Sequence, residues 1–236
     1  VNFYLKNHIN HNFHDEYIFC NSGTEANMRA IRLARAHTGK DIIGRFHGGW
    51  HGGLDGFLAE HPNNKGVPDS INNLVRVLPY NDESCFEQIT TDLAAVIIEP
   101  VQGSNPRSDI KPFLQKLRNR CDETGVLLIF DEVMTGFRLS HKGGSGIFHI
   151  EPDIVTYGKV LGGGFPIGAV GARKEIMNTK SVFYGGTFSA NPLSMYAAKL
   201  ILKTIIDKKY IQYDHLNFVG ALFRNNLNQF FAEEGK

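Results

Sequence analysis

Residues 126–132 have the sequence VLLIFDE, and this stretch decides the fold class. Five successive apolar side chains end at two acidic ones. Residues 93–99 (LAAVIIE) and 153–159 (DIVTYGK) also place a charged residue directly after an apolar or β-like run. Apolar runs without polar alternation are typical of strands that are buried on both faces of a parallel sheet. The sequence therefore predicts several buried strands that end in polar side chains.

Helical patterns lie between and after these strands. A helix is predicted at 112–124, with Pro112 near its start and Gly125 just after its end. Further helices are predicted at 26–37, 83–91, 192–208 and 210–232, and further strands at 42–46, 74–78 and 169–172. Strands that alternate with helices indicate an α/β fold, with a mostly parallel sheet flanked by helices.

The predicted helix at 26–37 is amphipathic. Its apolar side chains lie on or near one face, whereas Arg29, Arg32 and Arg35 lie largely on another. Gly39 follows as a stop signal.

Composition excludes several classes of protein. The 236 residues carry 25 basic and 24 acidic side chains, a balance that gives no electrostatic reason to expect nucleic acid or an anionic membrane as partner. No apolar stretch approaches the roughly 20 residues that cross a bilayer, and we expect no signal peptide because the first residues lack a basic-then-apolar pattern. Three widely spaced cysteines indicate a reducing compartment, and we expect a cytoplasmic protein.

Lys159 and Asp131 are the candidate catalytic residues. Each follows an apolar run, and Lys159 leads into the glycine-rich turn 162–166. The carboxyl ends of parallel strands form the ligand crevice of such sheets. A lysine that forms a Schiff base with an aldehyde, and a carboxylate that keeps a pyridine nitrogen protonated, are what pyridoxal phosphate (PLP) requires. Such a lysine has to be partly shielded from water. The alternatives are a surface lysine and an aspartate that caps a helix or forms an ion pair.

Residues 21–26, with the sequence NSGTEA, follow an apolar run and open the helix predicted at 26–37. Backbone N–H groups at a helix start bind phosphate, and the hydroxyl groups of Ser22 and Thr24 add donors. The alternative is a capping box without a ligand.

Two further glycine-containing turns carry candidate residues. Trp50 lies within the sequence GWHG, where its flat ring could stack on a cofactor, although an ordinary buried tryptophan would fit the pattern as well. Thr187 lies within GGTFSANP and could reach a phosphate, whereas Ser189 or Asn191 could instead cap the next helix. We expect no metal site, because a polar segment explains His8, His11 and His14 better than metal ligation does.

Taken together, the motifs resemble those of class III PLP-dependent aminotransferases of fold type I. Within that family the chain is most similar to the glutamate-1-semialdehyde 2,1-aminomutases. The matching stretches lie at residues 21–26, 79–82, 99–101, 130–138, 158–164 and 186–192.

The resemblance implies roles for particular residues. Lys159 would hold PLP as a Schiff base and then act as the base in a 1,3-proton shift, and Asp131 would pair with the pyridine nitrogen. The phosphate and ring contacts would come from Ser22, Gly23, Thr24, Trp50 and His51. Thr187 would reach the cofactor of a neighbouring subunit, which implies a homodimer. The substrates would be a small amino compound and an oxo-acid.

The resemblance also implies a domain division. Residues 1–16 would be the remnant of an N-terminal segment, and residues 17–190 the PLP-binding large domain. Residues 191–236 would be helices that lead to a C-terminal small domain, most of which is missing. The chain would therefore correspond to the central part of a longer enzyme.

The reaction stays open at this point. Ser104 and Met134 differ from the Glu and Gln of ornithine-type relatives, which argues against an ornithine or 4-aminobutyrate substrate. The segment from Gly52 to Pro68 is shorter than the gating loop of the aminomutases, which favours two-substrate transamination. A catalytically inactive domain that serves in binding or dimerisation is a further alternative. A nucleotide-binding domain is poorly supported, because neither a GxGxxG nor a GxxxxGK[ST] turn follows a strand.

Overall fold

The computed structural model describes residues 1–9, 14–59, 61–62, 64–207 and 211–235. Seven strands form one sheet with the order β1-β7-β6-β5-β4-β2-β3. The strands are β1 Glu16–Cys20, β2 Ile42–Phe46, β3 Val75–Leu78, β4 Leu93–Ile98, β5 Leu127–Asp131, β6 Ile154–Tyr157 and β7 Gly168–Ala172. Strand β7 is antiparallel to both of its neighbours, and the other pairs are parallel. The predicted mostly parallel sheet is confirmed.

Helices connect and flank the strands. They are α1 Asn2–Tyr4, α2 Gly23–Thr38, α3 Asp69–Asn72, α4 Cys85–Gln88, α5 Lys111–Thr124, α6 Gly143–Phe148, α7 Lys174–Met177, α8 Pro192–Asp207 and α9 Ile211–Glu233. A π-helical turn, Leu5–Ile9, follows α1, and two 3₁₀ turns lie at Asp55–Phe57 and Lys159–Gly162. No helix in the described ranges has both the length and the apolar character needed to cross a membrane.

One predicted helix is shorter than expected, and some short helices, α6 among them, were not predicted. The helix predicted at 83–91 is only the single turn α4, because Arg76 donates hydrogen bonds to the Gln88 carbonyl (2.8 Å) and the Thr90 hydroxyl (2.9 Å) and holds this segment against β3. Helix α6 was not predicted, since its sequence is rich in glycine, a poor helix former.

The α6 turn is held by Glu132, which is fully buried. Its carboxylate accepts hydrogen bonds from the backbone N–H groups of Gly144 (2.9 Å) and Ser145 (2.8 Å), and from the Thr135 hydroxyl. Burial raises the pKa of Glu132, and these donors act against that rise. The contacts fix the chain directly after Asp131.

Apolar side chains fill both faces of the sheet. All six residues of β4 are buried, as its apolar run predicts. Helix α2 packs on one face with Ala30, Leu33 and Ala34, and α5 covers the other with Leu114 and Leu117. Each large aliphatic side chain buried in this way contributes about 1.5–3 kcal/mol to folding. Cys20, Cys85 and Cys121 are buried and free.

His14 makes folding sensitive to acid. Its ring is 3 % exposed, and its Nε2–H donates a hydrogen bond to the Pro152 carbonyl at 2.9 Å. Burial lowers the pKa of His14 from 6.5 to about 4. Above pH 6.5 the ring is neutral in both the folded and the unfolded chain. At lower pH the unfolded chain binds a proton that the folded chain does not bind, so the free energy of unfolding falls until the folded ring also titrates near pH 4.

We expect this loss to be on the order of 3 kcal/mol between pH 7 and pH 4. The measurement is urea unfolding across this range, for the parent and for His14→Gln. Glutamine keeps a donor for Pro152 but binds no proton, and carboxylate titration affects both proteins alike. A constant difference in stability between the two proteins across the range would contradict the expectation.

Candidate active site

A cavity of about 280 Å³ lies where the carboxyl ends of β4, β5 and β6 meet the start of α2. Of the residues predicted for the cofactor site, the structure brings all but Thr187 together around it. They are Ser22, Gly23, Thr24, Trp50, His51, Asp131 and Lys159. The remaining lining includes Asn27, Glu99, Val133, Met134 and the segment 165–167. The parallel strand ends therefore deliver the predicted side chains to one place.

Asp131 is 2 % exposed and its carboxylate accepts three hydrogen bonds. Asn27 Nδ2 donates to Oδ2 at 2.7 Å, His51 Nδ1 lies 2.8 Å from the same oxygen, and the Val133 N–H donates to Oδ1 at 3.0 Å. Because a carboxylate only accepts, the Nδ1 atom of His51 carries the proton. The donors hold the carboxylate in one orientation.

Asn27 connects the Asp131 carboxylate to its surroundings. Its Nδ2 also donates to the His51 carbonyl at 3.0 Å, and its Oδ1 accepts the Thr156 hydroxyl at 2.6 Å. The sequence analysis missed this residue. The signal for it was a polar side chain one helical turn after Gly23, on the face of α2 that packs on the sheet.

Glu99 places a second carboxylate in the cavity, at the end of β4. Its Oε2 accepts the Trp50 N–H at 3.0 Å, and burial raises the pKa of Glu99. The Trp50 side chain is 55 % exposed, so the alternative of an ordinary buried tryptophan is wrong. Trp50 instead lies at the edge of the cavity, held by its backbone.

The start of α2 has the predicted capping contact. Ser22 Oγ accepts the Glu25 N–H at 3.2 Å, and the Glu25 carboxylate accepts the Asn21 N–H at 2.8 Å. This capping contact still allows an anion to bind at the start of α2, because the first N–H groups of an α-helix have no acceptor within the helix. The backbone of Gly52, with φ of 98°, packs against Thr24 so closely that a Cβ would lie 2.3 Å from the threonine hydroxyl oxygen.

Lys159 lies two residues after the end of β6, separated from it by Gly158, and begins a 3₁₀ turn. Its φ of 39° lies in the left-handed region, a strained conformation for a residue with a Cβ. The side chain is exposed at the mouth of the cavity. The expected shielding from water is therefore not observed for this chain alone.

Thr187 is exposed and does not line the cavity of its own chain. Asn191 Oδ1 accepts the Ser194 N–H at 2.9 Å and so caps α8, as one alternative predicted. Ser189 does not cap this helix, since its hydroxyl accepts a hydrogen bond from Arg29 at 3.0 Å. The position of Thr187 leaves it available to another molecule.

A larger cavity, of about 820 Å³, lies at the opposite edge of the sheet. Two of its basic side chains, Arg118 and Arg173, bind the buried Asp153 carboxylate. His11 lies outside the described residues, so the expectation that His8, His11 and His14 do not ligate a metal together stays a prediction. Among the residues described, no three or more His, Cys, Asp and Glu side chains are arranged to hold a metal ion.

Comparison with known proteins identifies relatives along almost the entire chain. The family model for aminotransferase class-III matches residues 4–234. Glutamate-1-semialdehyde 2,1-aminomutase of Clostridium perfringens is 42% identical over 234 residues, which cover 91% of this chain and 55% of the relative. The same enzyme of Caldicellulosiruptor saccharolyticus is 44% identical over 229 residues, covering 91% and 53%. The chain thus spans about half the length of the curated relatives it matches.

Solved structures agree with the sequence relatives. An omega-transaminase from Sphaerobacter thermophilus superposes with a TM-score of 0.89 at 32% identity, covering 98% of this chain and 58% of the other. The PLP internal aldimine form of the FumI protein from Sphingopyxis sp. MTA144 gives a TM-score of 0.86 at 29% identity, covering 99% and 57%. The family model over residues 4–234 and the relatives at 42–44% identity show that the chain belongs to the class-III aminotransferase family.

Proposed function

We propose that this chain forms the PLP-binding part of an enzyme that moves an amino group. The proposal rests on one observation: Lys159, the Asp131 carboxylate and the start of α2 line the same cavity. Relatives at 42% identity are aminomutases, and the structural neighbours include an omega-transaminase and a transaminase described with PLP bound.

The residues present fit PLP. In the proposal, the N–H groups and hydroxyls of Ser22, Gly23 and Thr24 bind its phosphate, because a helix start attracts anions. Asp131 pairs with the pyridine nitrogen, and hydrogen bonds from Asn27 and His51 hold its carboxylate in place. Gly23 and Gly52 let the backbone beside the cavity pack closely, because a Cβ would lie 2.8 Å from Val133 at the first position and 2.3 Å from Thr24 at the second.

The role that we propose for each residue follows from its position in the cavity. PLP, when bound, supplies an electron sink for the carbanion formed at the substrate. Lys159 would hold the cofactor and would accept the proton that leaves the substrate α-carbon. Trp50 lies at the cavity edge, where its ring would contact the cofactor and exclude water, and His51 would orient Asp131 through the hydrogen bond from Nδ1.

We also propose a homodimer in which Thr187 serves the neighbouring site. Thr187 is surrounded in sequence by exposed apolar side chains, a distribution typical of interaction surfaces. These are Phe183, Phe188, Leu193, Tyr196 and Leu200, which are between 46% and 76% exposed.

We also propose a cytoplasmic location, because the three free, buried cysteines suit a reducing compartment.

Two reactions fit the proposal, and donor dependence separates them. The purified chain with PLP is supplied either with glutamate-1-semialdehyde alone or with amine donors together with oxo-acids. We expect turnover that requires PLP in one of the two assays. Formation of 5-aminolevulinate from glutamate-1-semialdehyde alone identifies an aminomutase, whereas a requirement for a second substrate identifies an aminotransferase.

The alternative of an inactive domain predicts a different result. A chain that binds PLP but turns over neither kind of substrate would contradict the proposed catalysis and favour a binding or dimerisation module. Omission of PLP is the control for both assays.

A further inference from the structure

Arg29 is a buried cation in the middle of α2. Its side chain is only 3% exposed, although the helical pattern grouped it with Arg32 on a face away from the apolar one. A buried guanidinium is costly unless its N–H groups are satisfied. Its surroundings therefore indicate what it does.

The guanidinium of Arg29 connects two segments that are far apart in sequence. Nη1 donates to the Phe19 carbonyl at 2.9 Å, near the end of β1. Nη2 donates to the Gly185 carbonyl at 3.3 Å and to the Ser189 hydroxyl at 3.0 Å. The last two acceptors flank Thr187 on either side. The fork of one side chain thus fixes both ends of the Thr187 turn, defined as residues 185–189.

The Thr187 turn is packed tightly against this cation. A Cβ at Gly186 would lie 3.1 Å from Arg29 Nη2 and 2.6 Å from the Ser189 hydroxyl. Arg32, one helical turn further on, donates to the Phe183 carbonyl at 3.1 Å. Helix α2 therefore holds the segment that leads into the turn as well as the turn itself.

Arg29 also contacts the start of its own helix. Its Nη2 lies 3.9 Å from Glu25 Oε2, the oxygen that accepts the Asn21 N–H at 2.8 Å. Asn21 begins the segment in which Ser22 and Thr24 line the cavity. One cation thereby bridges the two predicted phosphate-binding segments of the chain.

We propose that Arg29 is a positioning residue that presents Thr187 for PLP phosphate binding and couples the Thr187 turn to the start of α2. The inference rests on the proposed function, since it concerns the same cofactor. Arg29 does not line the cavity, so it acts through the backbone and hydroxyl groups that it holds.

The test is a double-mutant cycle on PLP affinity, which needs no turnover. The dissociation constant of PLP is measured for the parent, Arg29→Met, Thr187→Ala and the double variant. We expect Arg29→Met to weaken PLP binding about tenfold, the value of one hydrogen bond to a charged group. If Arg29 acts through Thr187, the double variant binds PLP within about twofold of Thr187→Ala alone.

Two further variants keep the test decisive if Arg29→Met does not fold, as checked by circular dichroism. Arg29→Lys keeps the charge but not the fork, so we expect incomplete rescue. Ser189→Ala removes one acceptor and should weaken PLP binding less, again without adding to Thr187→Ala. Arg35→Met is the matched control on the same helix, because Arg35 donates to the Asp41 carbonyl away from the turn.

Several results would overturn the inference. They are an Arg29→Met variant that binds PLP as tightly as the parent, effects that add fully with Thr187→Ala, and a Thr187→Ala variant without any effect. A folded parent that binds no PLP would instead contradict the proposed function, so the two failures are distinguishable.

Discussion

Replacing Lys159 with alanine should abolish covalent attachment of PLP. In the parent we expect the visible absorption band of lysine-bound PLP, and borohydride reduction should leave the cofactor mass on the peptide that contains Lys159. The effect should be complete, because Lys159 supplies the only amine among the described residues that line the 280 Å³ cavity. PLP should still bind to the variant weakly and reversibly through the remaining contacts.

The matched control is Lys174→Ala, which removes an exposed lysine at the opposite edge of the sheet. Alanine keeps the Cβ at position 159, so the backbone strain at φ 39° is the same in parent and variant. The free energy of unfolding without PLP should therefore change little. A band that persists in Lys159→Ala, or a label on another lysine, would show that the attachment site is elsewhere.

Much of the fold could be predicted because the buried strands have unbroken apolar sequences. All of β4 and most of β5 follow from this pattern, as does the position of Asp131 at a strand end. The antiparallel direction of β7 could not be predicted, since a short run such as 169–172 carries no sign of its direction. The order of the strands in the sheet could not be predicted either, because it depends on contacts between segments that are far apart in the sequence.

The site was predictable for residues in glycine-rich turns and less so for residues on helices. Asn27 and Arg29 lie within an amphipathic helix, where a polar residue is expected to face water. Their burial depends on partners more than 100 residues away, namely Asp131 for Asn27 and the turn at 185–189 for Arg29. A pattern within one helix contains no information about such partners.

The exposure of Lys159 has a similar origin. A lysine at a strand end predicts a position at the cavity, and this position is observed. Its shielding depends on what lies over the cavity mouth, where Trp50 and Phe165 are themselves 55% and 44% exposed. In the proposed homodimer a second copy would contribute to covering this side. The environment of the Lys159 side chain therefore depends on segments distant in sequence, which the local pattern around Lys159 does not reveal.

Asp131→Asn is expected to have the second largest effect. The carboxylate accepts from Asn27 and His51 at Oδ2 and from the Val133 N–H at Oδ1. An asparagine has one accepting oxygen, so its NH₂ group must face at least one of these donors. The variant should therefore lose about 1–3 kcal/mol of stability per unsatisfied group. The neutral side chain also loses the charge that would keep the cofactor nitrogen protonated.

For the proposed reaction we expect turnover of Asp131→Asn to fall by roughly a hundredfold to a thousandfold, the range for removal of one preorganised electrostatic contact. Asp153→Asn is the matched control, because Asp153 is equally buried but lies at the opposite edge of the sheet. There it accepts from Arg118 and from the Leu128 N–H, both at 2.8 Å. Both variants should be less stable to urea, but only Asp131→Asn should shift the PLP spectrum and its pH dependence. Equal spectra and equal turnover in the folded fractions of both variants would remove Asp131 from the proposed cofactor site and leave it a structural residue.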